Sequence, residues 1–414
     1  MQAMTDPVAR KLVDRFFRYL AIPSQSDARA TGLPSSPGQR RLAELLAEEL
    51  AGLGLAKVHL DDNAIVTARL PGTVPGAPRI GFVAHLDTVD VGLSPEIRPQ
   101  MLRFEGEDLL LNPARDIWLR VAEHPEILPY RGEEILFGDG TSVLGADNKA
   151  AIATIMTMLE ALRAGEVPHG DIAVAFVPDE EIGLRGAKAL DLARFPADFA
   201  YTIDSCARGE VVYETFNAAS ARIEITGVPA HPMSAKGVLV NPILLAMELV
   251  AQLDPLQRPE HTEGREGYWW FNGISGDQSA ARLTASIRDF DARGFAERKR
   301  LLAEAAEQLQ ARHPRARIEC RIEDTYGNID AALGNDRRCV DLIFRAMAER
   351  GIAPREIAMR GGTDGSALSA RGLPTPNYFT GAHNFHSRFE FLPVSAFIDS
   401  LRVSLGICRL AAAP

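Results

Sequence analysis

Lys149 to Ala164 reads KAAIATIMTMLEALRA, an apolar stretch at helical spacing that Gly165 brings to a stop. On either side of it stand two short runs, Ile80 to Ala84 (IGFVA) and Ile172 to Val177 (IAVAFV). Both are almost continuously apolar, as strands covered on both faces must be. Strand, helix and strand in that order predict an α/β domain with a buried sheet. Outward from this nucleus, Gln39 to Leu55 (QRRLAELLAEELAGLGL) predicts an amphipathic helix, and the N-terminal twenty residues (MQAMTDPVARKLVDRFFRYL) also show helical periodicity. Ser94 to Arg131 matches neither period and reads as a loop-rich elaboration after the first strand.

From Val211 the rhythm changes. VVYETFNAASARIEITG reads as a strand, NPILLAMELVAQL as a helix, YWWFNGI and ARLTASIRDF as strands, FAERKRLLAEAAEQLQARH as a helix and ARIECRIED as a strand. This βαββαβ order is the ferredoxin-like pattern. It predicts an inserted domain at 213–327 that interrupts a main domain made of 1–212 and 328–414. A chain of 414 residues is long enough for two cores.

The formal net charge of -10 opposes binding to phosphate backbones, so nucleic acid is not an expected partner. The longest apolar runs, such as Pro242 to Leu253, contain Glu248 and fall short of the roughly 20 residues that span a bilayer. No membrane is expected, and the N-terminal stretch, with acidic residues and helical periodicity where an export signal needs an uninterrupted apolar run, does not read as one. The four cysteines are far apart with no CxxC pair, which fits a reducing compartment and predicts a cytoplasmic protein.

Five short strings carry the chemistry. In GFVAHLDTVD, His85 and Asp87 lie two apart at a strand end and point the same way, so the carboxylate can fix the imidazole tautomer of a metal-binding histidine. In GADNK, Asp147 sits in a tight turn that opens the central helix. In VPDEEIG, Glu180 and Glu181 adjoin at the end of a buried strand, where two like charges need a cation nearby. One of the pair can ligate while the other takes a proton from water. Asp204 ends the strand YTIDS, and His386 lies in GAHNFHSRFEF with Glu390 four residues on. Singly, each has an ordinary reading: a polar strand end, a helix cap, a solvated acidic turn. His59, His124, His169, His261 and His313 stand in polar or loop settings and read as surface residues.

Jointly the strings supply two histidines and three carboxylates at successive strand ends. With Asp147 shared, His85 and Asp204 would complete one metal site, and Glu181 and His386 a second. Nitrogen and oxygen donors without cysteine suit zinc, with cobalt or manganese compatible with the same geometry.

HLDTVD, GTSVLGADNKA, AFVPDEEIG, YTIDS, FNAAS, PAHPMSAKG, IRDFD, RGGTDG and NFHSRFEF follow one another between His85 and Phe391, within a likeness that runs from about residue 10 to residue 408. In this order and spacing the chain resembles the peptidase T branch of the zinc exopeptidases, a group that also includes carboxypeptidase G and aminoacylase. The resemblance implies two zinc ions per chain on His85, Asp147, Glu181, Asp204 and His386. It makes Asp87 the carboxylate behind the first histidine and Glu180 the general base. In the inserted domain it makes His231 the donor to the tetrahedral oxyanion and Arg288 the partner of the substrate's terminal carboxylate, with Arg360 as a further substrate contact. It also implies a cis peptide after Asp147 and a homodimer formed through the inserted domain, with short peptides as substrates. Asn148, Ser205, Cys206, Met233 and residues Ser387 to Phe389 depart from the branch pattern, and none of these is a ligand position.

The function implied is removal of the N-terminal residue from tripeptides. The alternatives on the same scaffold are a dipeptidase, a carboxypeptidase or an N-acyl-amino-acid hydrolase, and outside catalysis a metal-binding assembly protein.

Overall fold

A computed structural model of the chain describes residues 6–165 and 167–413, so Met1 to Thr5 of the N-terminal periodic stretch lie outside it. The chain divides into two compact units. The larger comprises the chain up to Tyr213 with Ala332–Ile357 and Thr363 onward; the smaller comprises Glu214–Ala331 and Ala358–Gly362.

The larger unit is built on an eight-stranded mixed sheet in the order Ala56–Leu60, Val66–Leu70, Ile172–Val177, Ile80–His85, Phe199–Ser205, Asn377–Phe379, Glu210–Thr215, Arg355–Met359. Ile80–His85 runs parallel to both of its neighbours, and Asn377–Phe379 is parallel to Phe199–Ser205. Every residue of Ile80–His85 and of Ile172–Val177 is buried, which is why neither run alternates. Gly81 belongs there because a Cβ would stand 2.4 Å from the Phe195 ring and 2.8 Å from Ala200.

The helix Ala146–Arg163 is covered on all sides over most of its length. Its alanines let the helices Pro7–Leu20 and Val394–Ala411 approach, and Phe16, Leu159 and Phe397 fill the shared core. Each large apolar side chain sequestered in this way contributes about 1.5–3 kcal/mol. At its start, Gly145 takes φ +75°, and the peptide between Asp147 and Asn148 is cis.

The stretch 94–131 has more regular structure than its sequence shows. Gln100–Phe104 pairs with Glu133–Phe137, and Leu109–Asn112 pairs with Ile117–Leu119. Phe104, Leu111, Leu119, Ile127, Ile135, Phe137 and Phe391 form a core of their own.

The smaller unit holds a four-stranded antiparallel sheet, in the order Tyr268–Gly276, Ala280–Asp289, Asn217–Thr226, Arg317–Tyr326, with the helices Pro242–Ala251 and Ala292–Arg312. Ala219, Ala221, Ile223 and Ile225 are buried with Leu245, Leu249 and Leu302, while Arg222 stands exposed between them. The stretch from Val211 to Gly227 reads as one strand but folds as two, breaking at Phe216. Phe216 is fully buried against the Phe290 and Tyr268 rings. Beside it Asn217 Nδ2 donates to the carbonyls of Asp289 and Phe290, and Asn328 Oδ1 accepts from Thr215 N. Side-chain amides thus satisfy backbone groups where the ladder is interrupted.

Candidate metal centre

Five segments of the larger unit converge. His85 is the last residue of its strand, Asp204 lies next to last in its own, and Glu180 and Glu181 follow Ile172–Val177. Asp147 comes from the first turn of the central helix and His386 from a turn before the C-terminal strand Phe391–Pro393. His85 Nε2 lies 2.9 Å from Asp147 Oδ1 and 3.7 Å from Asp204 Oδ1. His386 Nε2 lies 3.0 Å from Asp147 Oδ2 and 3.0 Å from Glu181 Oε1. Asp147 therefore offers one oxygen to each histidine.

Three groups of side chains bring potential ligand atoms within 4.8 Å of one another: His85, Asp147 and Asp204; Asp147, Glu181 and His386; and His85, Glu180 and Glu181. Among the described residues Glu181 Oε1 is buried without a hydrogen-bond partner, although His386 Nε2 is 3.0 Å away. A buried carboxylate oxygen facing an imidazole in this manner fits a cation placed between them.

The electrostatics agree. Burial drives the Glu181 carboxyl up to about 7, with the Asp147 charge adding to it, and drives Asp204 up to about 6 for the same two reasons. Burial also lifts Glu180 well above the carboxylate range. Burial opposes charge on Asp147 too, yet hydrogen bonds from His386 and His85 hold it below its usual value. The hydrogen bond to Asp147 and the nearby Glu181 carboxylate raise His386 to about 10. So many acids cannot all ionise in one buried space unless positive charge is present.

Asp87 does more than its spacing indicates. The nearer partner of His85 Nδ1 is the Asp87 carbonyl oxygen at 3.0 Å, with carboxylate Oδ1 at 3.4 Å. That carboxylate is fully buried and accepts from Glu180 N at 3.0 Å and Glu181 N at 3.2 Å, which holds the turn bearing both glutamates.

Several residues around the centre carried little sequence signal. Asn148 Nδ2 donates to the Ile203 carbonyl at 2.8 Å and to Asp204 Oδ1 at 2.6 Å, so this departure from the branch pattern orients a proposed ligand. Glu390, almost fully buried, accepts from Gly145 N at 2.8 Å and Asp147 N at 3.1 Å; burial lifts its carboxyl to about 8. Its spacing from His386 was the one available hint. Lys149 is fully buried and donates to the Ile22 carbonyl at 2.7 Å. Asp364, in RGGTDG, is buried with neither carboxylate oxygen hydrogen-bonded among the described residues. Of the histidines read as surface residues, His169 is buried with Nδ1 2.7 Å from the Gly170 carbonyl, and His124 packs on Phe389.

His231, Arg288 and Arg360 belong to the smaller unit. His231 is exposed in the turn before Pro232–Ser234, and its Nδ1 accepts from Met233 N at 3.2 Å. Arg288 Nη1 donates to the carbonyls of Ala219 and Ile287, and its guanidinium carbon lies 5.6 Å from the Tyr326 ring centre. Arg360 is committed locally: it donates to the carbonyls of Gly264 and Glu266 and to Thr262 Oγ1, between the Phe216 and Tyr268 rings.

Comparison with known proteins places the chain in a family. The family model for peptidase family M20/M25/M40 matches residues 119–409. A peptidase T-like protein of Rhizobium meliloti (strain 1021) is 62% identical over 405 residues, covering 98% of this chain and 99% of its own. Peptidase T of Geobacillus sp. (strain WCH70) is 42% identical over 403 residues, covering 97% of this chain and 98% of its own. The crystal structure of aminopeptidase PepT from Bacillus cereus ATCC 10987 superposes with a TM-score of 0.76 at 22% identity, over 98% of this chain and 99% of that one, and so shares the fold.

Proposed function

The chain belongs to peptidase family M20/M25/M40, and from that premise we propose that it is a metal-dependent aminopeptidase that removes the first residue of tripeptides. The observation that carries the reading is Asp147, with one oxygen 2.9 Å from His85 Nε2 and the other 3.0 Å from His386 Nε2. His85, Asp147 and Asp204 would hold one zinc ion, and Asp147, Glu181 and His386 the other. Cobalt or manganese could take the same donors. When bound, the ions lower the pKa of water toward about 7 and polarise the scissile carbonyl.

The chain's own residues do the rest. Glu180 accepts the proton of the attacking water and returns it to the leaving amine. Its raised affinity for a proton, caused first by burial, suits a base that must hold that proton between the two steps. His231 donates to the carbonyl oxygen as negative charge grows there. Because Met233 N–H points at Nδ1, the neutral ring carries its proton on Nε2 and has that donor free. Arg288 holds the peptide's C-terminal carboxylate, and Arg360 supports the substrate side of the same unit by tying its 262–266 loop. The smaller unit, whose strand order is that of a ferredoxin-like domain, would serve as lid and dimerisation domain. Its exposed Leu244 and Met247 on one helix and Trp270 and Ile274 on an edge strand supply apolar surface for pairing two copies. No described helix is long and apolar enough to cross a membrane.

Chromatography of products from a panel of di-, tri- and tetrapeptides, with zinc supplied, tests the reading. A free N-terminal amino acid plus a dipeptide should come from tripeptides in preference to the other lengths. Release of the C-terminal residue, or preference for dipeptides, would reassign the activity. Elemental analysis should find about two zinc equivalents per chain, with activity lost in chelator and restored by metal.

A further inference from the structure

His386 is delivered by a turn that holds itself awkwardly. The turn is closed by a bridge in which His383 N donates to the Phe391 carbonyl at 2.9 Å and Phe391 N donates back at 3.2 Å. Between them Asn384 takes φ +58° and His386 φ +63°, the left-handed region that residues with side chains visit uncommonly, Asn and His more than most. Two such residues in one short turn are held by the contacts around them.

Those contacts come from the elaboration at 94–137. Asn384 Nδ2 donates to Glu126 Oε1 at 2.6 Å and to the Phe389 carbonyl at 3.3 Å. Tyr130 Oη lies 2.8 Å from His383 Nε2. The His124 and Phe389 rings are 4.7 Å apart. Phe391 is fully buried in the elaboration's own core, and Phe391–Pro393 pairs with Ile135–Phe137. On its other side the same turn sends Glu390 to Gly145 N and Asp147 N.

We propose that the elaboration is a brace for the metal centre, with Glu126 and Tyr130 as positioning residues that set His386 and so tune the ion held by Asp147, Glu181 and His386. The proposal rests on the metal reading above. The contacts bear on one face of one turn, and the elaboration contributes no strand to the eight-stranded sheet. Loosening the brace therefore weakens one metal site more than the other, which a general loss of stability does not do.

The test is zinc affinity of the metal-stripped full-length protein, by equilibrium dialysis, with the visible spectrum of the cobalt-loaded form reporting each site's geometry. The wild type should take up two equivalents. Glu126→Ala should weaken one of them about 10- to 100-fold, the range found when groups that orient metal ligands are removed, and leave the other nearly unchanged. Glu126→Gln, which keeps an acceptor oxygen for Asn384, should restore most of the affinity. Tyr130→Phe keeps the ring packing but loses the bond to His383, and should shift the same site by a smaller factor. If Glu126→Ala fails to fold, as near-ultraviolet dichroism would reveal, Tyr130→Phe decides alone. Equal weakening of both sites, no change in either variant, or a Gln variant as poor as Ala overturns the brace. A wild type that binds no metal overturns the proposed function itself, a separate outcome.

Discussion

Asp147 and the adjoining Glu180 and Glu181 divide the work of the centre at the level of single atoms. Glu181 Oε1 faces His386, whereas Glu180 shares a ligand-sized space with His85 without bridging to His386. Glu180→Gln is expected to keep about two zinc equivalents and lose turnover by about 10²- to 10⁴-fold, the usual worth of a general base. Glu181→Gln should instead lose metal from one site. Elemental analysis beside kcat separates the two, and equal metal loss would show the roles misassigned. A second prediction concerns Asp87. In Asp87→Asn one of the two glutamate N–H groups would face an amide NH₂, so metal affinity should fall about 10- to 100-fold even though no ligand is removed. Unchanged zinc affinity would show that the turn holds itself. The proposed ligand positions were legible because His85 and Asp204 stand at the ends of apolar strands and Glu181 closely follows one, a local pattern. The Asp87 clamp was not, since its partners lie in the turn after another strand, far along the chain, and nothing near Asp87 announces them. Glu390 was half legible: the spacing to His386 was visible, but its grip on the Asp147 turn was not.

Elements that satisfy their own periodicity were readable, and those held by distant side chains were not. The helix Ala146–Arg163 and the strands Ile80–His85 and Ile172–Val177 fall where apolar runs place them. The break at Phe216 leaves no mark in the sequence because both halves are good strand sequence, and the interruption is made by Asn217, Asn328 and an aromatic cluster assembled from remote segments. The elaboration's strands are only three to five residues long, too short to show a period. Glycine within a strand is a clearer mark. Gly81 stands in a fully buried run, and an added methyl would press on the Phe195 ring, the Ala200 Cβ and a sheet paired on both sides. Gly81→Ala should therefore destabilise the protein by about 1–3 kcal/mol in chemical denaturation, the cost of overpacking, despite alanine's better strand propensity. A neutral or stabilising result would mean that Phe195 yields freely.

At the scale of the whole molecule, two compact units matter because the proposed chemistry lies in one and the proposed reading of peptide length in the other. The smaller unit also gathers Ala358–Gly362, which no sequence signal indicated, since those residues follow the insertion by some thirty positions. Arg360 thereby acquires local partners, and Arg288 is left as the better candidate for the substrate carboxylate. An ordinary surface pair for Arg288 would use Asp289 or Asp291. Asp289 is instead paired with Arg298, and Asp291 accepts from Gly294 N at the start of a helix. Among the described residues only Nη1 of Arg288 is engaged, on two backbone carbonyls, so Nε and Nη2 keep donors for a carboxylate. If Arg288 reads the C-terminus, Arg288→Ala should lower kcat/KM for a free tripeptide by about 2–5 kcal/mol, by analogy with truncated charge pairs at interfaces. The same variant should hardly change kcat/KM for that tripeptide amidated at its C-terminus, because the amide already lacks the charge that the guanidinium would hold. Zinc content should stay at the wild-type value, which excludes an indirect effect through the metal centre. Equal losses on both substrates, or none on either, would mean that Arg288 does not measure the peptide, and the preference for tripeptides would then need another physical basis.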